Sequence, residues 1–204
     1  MDIDIIYNKI KKNSNRLDSF YRYYSILVPI MKIDRTFHLL FEIRSSKLRR
    51  QPGEISFPGG KRELGESFKK AAIRETMEEL SIPQKKIKII GELPPISTHY
   101  NDFIYPFAAL LHNVTIENME FNRAEVEQLF TVPIHFFMEN LPLEYCIETH
   151  PCPSKDFPYH LLPNGRDYKF YKGKYPVYFY KYKDYVIWGL TARIVKNFVD
   201  ILNK

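Results

Sequence analysis

The chain has 204 residues, of which 45% are hydrophobic, 26% charged and 15% aromatic; this balance excludes a disordered or fibrous chain and suits one sizeable core. Lys and Arg number 30 against 24 Asp and Glu, a net charge of +6, which favours anionic partners without choosing among phosphorylated metabolites, nucleic acid and membrane surfaces. Apolar runs such as Phe107 to Leu111 fall far short of the ~20 residues of a membrane span. The acidic start Met1-Asp2-Ile3-Asp4 lacks a signal-peptide layout. Cys146 and Cys152 cannot build a disulfide framework, so a cytoplasmic protein is expected.

In chain order, Ile3, Ile5, Ile6, Tyr7 and Ile10 predict a short amphipathic helix over residues 3–12. Residues 24–30 and 37–43 read as strands split by the turn-like Lys32-Ile33-Asp34-Arg35. Residues 54–57 read as a short strand stopped by a loop at Pro58-Gly59-Gly60. Residues 67–80 carry the clearest helical pattern, with Ser67 as cap and an apolar stripe of Phe68, Ala72, Ile73, Met77 and Leu80. Ser81-Ile82-Pro83 ends it, because proline disfavours helical geometry in the residue before it. Strands are expected at 86–93, 105–111, 145–149, 177–180 and 185–187, and helices at 134–140 and 190–202. The expected fold class is therefore α/β: an α/β/α sandwich with a mixed β-sheet between helices. Residues 1–22 are expected as an N-terminal helical extension and residues 23–204 as a single domain.

The 67–80 helix holds the chemistry. At about 100° per residue, Ile73, Met77 and Leu80 fall at roughly 0°, 40° and 340°, while Glu75, Glu78 and Glu79 fall at roughly 200°, 140° and 240°. One face is thus expected in the core and the opposite face to present three carboxylates together. Like charges at this spacing repel by about 0.2–0.5 kcal/mol per pair, a cost that a hard divalent cation with oxygen ligands would reverse. For a bare ExxEE a solvated acidic face is the more common explanation, and two details weigh against it here. Phe57-Pro58-Gly59-Gly60, just upstream, lets a ligand approach the backbone or lends carbonyls to a metal, and Glu66 adds a fourth carboxylate.

The run Gly60, five residues, Glu66, seven residues, Arg74-Glu75, two residues, Glu78-Glu79, two residues, Ile82 resembles the Nudix box. The six fixed identities among these, Gly60, Glu66, Arg74, Glu75, Glu78 and Glu79, match by chance on the order of 10⁻⁷ per start position, at roughly 6% each. Two positions depart from the pattern: Thr76, where an aliphatic residue is usual, and Ser81, where glycine is usual. The upstream Arg44-Ser45, Arg49, Gly53 and Phe57-Pro58-Gly59-Gly60 resemble the extra motif of the coenzyme A (CoA) pyrophosphatase branch, as do residues 122–126 leading to Val132-Pro133 and residues 187–193. The resemblance spans roughly residues 23–200.

The resemblance implies an α/β/α hydrolase that cleaves a nucleoside diphosphate linked to another group, here CoA or its derivatives, to 3′,5′-ADP and 4′-phosphopantetheine or its acyl form. It implies Mg²⁺ or Mn²⁺ held by Glu75, Glu78 and Glu79, with Glu66 and the Gly59 backbone assisting, and Arg74 orienting a glutamate. Catalytic residues are then Glu75, Glu78 and Arg74; Glu125 and Glu127 are outside candidates for the base. Arg44, Arg49, Arg50 and the nearby Lys47 would bind phosphate, where arginine's fork grips two oxygens; Phe57 is grouped with them as a substrate-binding residue, against the more common reading of a core or loop anchor. ADP-ribose or a dinucleotide as substrate, or a non-catalytic nucleotide- or RNA-binding role, stays open. The expected partner is a small molecule, not a membrane or nucleic acid, with a homodimer left open. The histidines lack HxxxH or HExxH spacing, so no zinc site is expected. The stretch from Tyr168 to Tyr185 alternates Tyr or Phe with Lys and fits half-buried strands or a base-stacking surface.

Overall fold

The computed structural model describes residues 2–13 and 17–204. The chain divides into two compact units, one ending at Val132 and the other starting at Pro133.

The first unit opens with α1 (Ile3–Asn13), whose apolar Ile3, Tyr7 and Ile10 are exposed. Its sheet comprises β1 (Arg22–Ile33), β2 (Thr36–Arg44), β3 (Ile55–Ser56), β4 (Gly59–Lys61), β5 (Ile87–Glu92), β6 (Ile96–Ser97), β7 (Asp102–Leu111) and β8 (Val126–Pro133). The central path runs β3-β2-β1-β7-β5, with β4 on β1, β6 on β7 and β8 on β2. The sheet is mixed: β1 and β7 are parallel from Arg22↔Asp102 to Ile30↔Leu110, while β1 pairs antiparallel with β2 and β4. Central β1 is buried from Leu27 to Met31 without alternation, the pattern of a strand covered on both faces.

Helix α2 (Phe68–Leu80) packs on β1, β4 and β7. There Leu27, Met31, Leu40, Phe107, Ala72 and Leu80 form the main core. Side chains alternate faces along a strand, so Phe41 turns away from Leu40's side and stacks on Phe57 at 4.7 Å and on Phe130 at 5.3 Å. The class is α/β, as the sequence predicts.

The expected loop at Gly59-Gly60 is instead part of a strand, since β4 pairs Ser25 with Gly60 and Ile26 with Gly59. A Cβ on Gly59 would overlap the Ser25 carbonyl and the Ile26 backbone, and one on Gly60 would overlap the Glu75 carboxylate. The two glycines therefore bring a backbone strand against β1 on one side and against the acidic helix on the other.

In the second unit, β9 (Leu143–Thr149), β10 (Gly173–Tyr182) and β11 (Tyr185–Trp188) form an antiparallel sheet in the order β11-β10-β9. Short α3 (Ile134–Glu139) sends Phe137 edge-on to Tyr180 at 5.0 Å. Helix α4 (Gly189–Leu202) packs on β10 and β11 and buries Ala192, Val195 and Phe198. The Tyr/Phe–Lys alternation is thus largely β10, with Val177 and Tyr180 buried. No helix among the described residues is long and apolar enough to cross a membrane.

Candidate active site

Helix α2 is fixed at both ends by local chemistry. Ser67 caps it, its hydroxyl accepting from the Lys70 amide at 3.3 Å, and Ser81 closes it in the left-handed region at φ 51°, the conformation usual after a helix C-terminus. Thr76 is fully buried and donates to the Ala72 carbonyl at 2.7 Å.

Arg74 organises one side of the acidic group. Its Nε and Nη2 donate to the two oxygens of Glu66, each at 3.1 Å. Its Nη1 donates to Glu75 at 2.8 Å and to Glu78 at 3.3 Å, and Nη2 also reaches the Lys61 carbonyl. The bidentate contact with Arg74 holds the Glu66 carboxyl below its ordinary range. Arg74 therefore meets three glutamates, where the sequence reading gave it one. Glu66, expected to assist a metal, has both oxygens committed to Arg74.

The three helix glutamates do not share one solvated face. Glu78 is exposed. Glu75 is half-buried over Gly60; burial pushes its carboxyl up, Arg74 opposes the shift, and Glu78 and Glu125 add to it. Glu79 is only 3% exposed and its Oε2 accepts from the Gly59 amide at 2.8 Å. The solvated acidic face that a bare ExxEE suggests is not found: β4 packs on the helix and Glu79 is enclosed there, which helical angles alone cannot reveal.

Glu79 has a neighbour that the sequence reading missed. Glu42, on β2, is 1% exposed. Its Oε1 accepts from the Ser56 hydroxyl at 2.9 Å, and its Oε2 is buried with no partner. Burial, then the charge of Glu42, drives the Glu79 carboxyl well above its ordinary range, while the Gly59 amide opposes this. Burial also raises Glu42; the Ser56 hydrogen bond and the charge of Arg44 oppose the shift, and Glu125 adds to it. Glu125 is thus close enough to act electrostatically on Glu42, Glu75 and Glu79. The outside candidate Glu127 instead accepts from the Ser46 amide at 3.0 Å.

The basic segment is split. Arg44 closes β2 beside the acidic group, with its Nε buried and unpartnered. Lys47, Arg49 and Arg50 are exposed on the following loop. Phe57 is 4% exposed and stacked on Phe41, the place of a core anchor. An open cleft of about 630 Å³ lies beside the cluster, lined by Lys61, Arg62, Glu63, Leu64 and Glu75. A cleft of about 370 Å³ at the other end of α2, around Ser81, Lys86 and Glu120, has none of the helix glutamates in its wall.

Among the described residues, no three acidic, histidine or cysteine side chains already stand as a set of metal ligands. The donor chemistry nevertheless fits a hard cation. Two buried carboxylates, Glu42 and Glu79, oppose each other, and a buried Glu42 oxygen has no donor. Carboxylate oxygens around Mg²⁺ or Mn²⁺ would relieve both.

Residues 25–144 match the family model described as NUDIX domain. The chain is 32% identical over 182 residues to a protein of Photorhabdus laumondii named uncharacterized Nudix hydrolase NudL, covering 88% of this chain and 84% of that one. It is 28% identical over 179 residues to mouse peroxisomal coenzyme A diphosphatase NUDT7, covering 84% of this chain and 66% of that one. Among solved structures, a MutT/nudix family protein from Enterococcus faecalis superposes with a TM-score of 0.54 at 12% identity, covering all of this chain and 71% of that one, a likeness of fold.

Proposed function

From the premise that this chain belongs to the Nudix hydrolase family, we propose that it hydrolyses the diphosphate of CoA or a CoA derivative. Water adds to one phosphorus, the bridging P–O bond breaks, and 3′,5′-ADP leaves from 4′-phosphopantetheine or its acyl form. The observation that carries the reading is the enclosed carboxylate group, Glu75 over Gly60 and Glu79 on the Gly59 amide, beside an open cleft lined by Lys61 and Arg62. The basic run from Arg44 to Arg50 and the named activity of the mouse relative support CoA in particular.

Glu75, Glu78 and Glu79, with the Gly59 carbonyl, would hold Mg²⁺ or Mn²⁺, and Glu66 would serve by anchoring Arg74. When bound, the ions neutralise charge built up on the diphosphate and lower the pKa of a coordinated water. Arg74 spaces Glu66, Glu75 and Glu78, fixing where their oxygens point. Arg44, Lys47, Arg49 and Arg50 would supply positive charge to the phosphates of CoA, including its ribose 3′-phosphate. Glu75, Glu78 and Glu125 would be the candidates to take the proton of the attacking water, with the choice among them left open. A reducing cytoplasm is the compartment we propose.

A substrate panel tests this reading. CoA, acyl-CoA, ADP-ribose and a dinucleoside polyphosphate are compared at equal concentration with Mg²⁺, with Mn²⁺ and with chelator, and products are identified by mass. We expect cation-dependent release of 3′,5′-ADP from CoA faster than any cleavage of ADP-ribose. The opposite ranking would contradict the CoA assignment, and tight RNA binding with no phosphate ester released from any substrate would contradict hydrolysis itself.

A further inference from the structure

Glu42 has no place in the chemistry of the acidic helix, yet it is the most enclosed carboxylate of the first unit, at 1% exposure. A charge taken that far from water costs several kcal/mol unless it is paired. A purely structural position would be filled more cheaply by glutamine or an apolar residue. The register of β2 with β3 sets Glu42 opposite Ser56, whose hydroxyl holds Oε1 at 2.9 Å and fixes the side chain. The other oxygen is buried without a donor. Arg44, the cation whose charge reaches Glu42, makes no hydrogen bond to it among the described residues, and its own Nε lacks a partner. The other groups that act on Glu42 electrostatically, Glu79 and Glu125, are carboxylates as well. An oriented, buried carboxylate with one unpartnered oxygen, beside a second buried carboxylate, is a half-built cation site.

We propose that Glu42 is a further ligand of the divalent cation held by Glu79, so that the site is built from β2 as well as from α2. The inference rests on the hydrolase reading for the presence of that cation. It assigns Ser56 a positioning role: the hydroxyl ties one carboxylate oxygen and leaves the other for the metal.

Mn²⁺ binding to the full chain tests the assignment without turnover, by electron paramagnetic resonance of the free ion and by the Mn²⁺-induced rise in melting temperature. In Glu42→Gln, one Mn²⁺ equivalent is expected to disappear or to weaken at least about tenfold, while the metal-free protein still melts cooperatively. The Mn²⁺-induced rise in melting temperature shrinks accordingly, which loss of a structural contact alone would not produce. Ser56→Ala keeps the carboxylate and frees Oε1, and it is expected to weaken Mn²⁺ by about tenfold. It stands as the deciding variant if Glu42→Gln does not fold. Equal Mn²⁺ affinity and stoichiometry in the wild type and the folded variants would overturn the role of Glu42 and leave the hydrolase reading intact. A wild-type chain that takes up no Mn²⁺ would overturn both.

Discussion

Glu79 and Glu42 carry opposite consequences for stability and for function. Each is a carboxylate whose affinity for a proton rises on folding, chiefly through burial, from an ordinary value of 4.5. The folded state therefore binds protons that the unfolded state releases. The stability that protonation gives is complete below that ordinary value and drains away as the pH climbs through the raised ones. Glu66 behaves in the reverse sense: its contact with Arg74 is present above its unfolded pKa and is lost only on acidification through its lowered value. In chelator, the melting temperature is therefore expected to fall as the pH rises from the ordinary carboxylate range toward alkaline values. Mg²⁺ should reduce that fall, because a cation replaces the protons. Thermal unfolding across pH, with and without Mg²⁺, checks this; a melting temperature in chelator that stays level or rises over the same range would contradict the burial of both carboxylates.

At the scale of elements, the decisive arrangement is a glycine strand laid against an acidic helix. Gly59 is pressed on backbone atoms of β1, which cannot yield, whereas Gly60 meets the flexible end of Glu75. The two alanine variants should therefore separate. Gly59→Ala should lose stability, by about 1–3 kcal/mol as in other overpacked positions. Gly60→Ala should melt close to the wild type yet lose most of its turnover, because Glu75 is displaced. Equal melting temperatures and equal rates in the two variants would refute this division, and unfolding curves with initial rates on CoA would reveal it.

Much of this arrangement was legible in the sequence at the level of elements. Helix α2 emerged with its Ser67 cap, and Ser81 adopts the left-handed turn required where glycine is usual. The strand character of Gly59-Gly60 was hidden, because glycines between a proline and a charged run carry the signal of a turn while their pairing depends on distant β1. Strand β8 was missed because exposed Glu127 and Gln128 are adjacent and break the alternation. Glu42 was invisible for a related reason: a single glutamate inside an apolar strand reads as a strand residue, and only the register of β2 with β3 and the closeness of α2 make it part of the acidic group. Phe57 was legible as a core anchor, since a phenylalanine is more often buried than left at a surface, and it stacks on Phe41.

For the whole molecule, the net charge of +6 coexists with a cluster of buried and half-buried glutamates in the first unit. That combination suits the proposed polyanionic substrate, which would be met by basic side chains and by a divalent cation. The account stands most directly on Glu79, enclosed and held by the Gly59 amide. Turnover of CoA by the wild type and by Glu79→Gln, measured side by side at saturating Mg²⁺ with both proteins folded, is the decisive comparison. The variant is predicted to lose at least about a hundredfold, equivalent to ~2.7 kcal/mol of transition-state stabilisation. Undiminished release of 3′,5′-ADP by the variant would contradict the account.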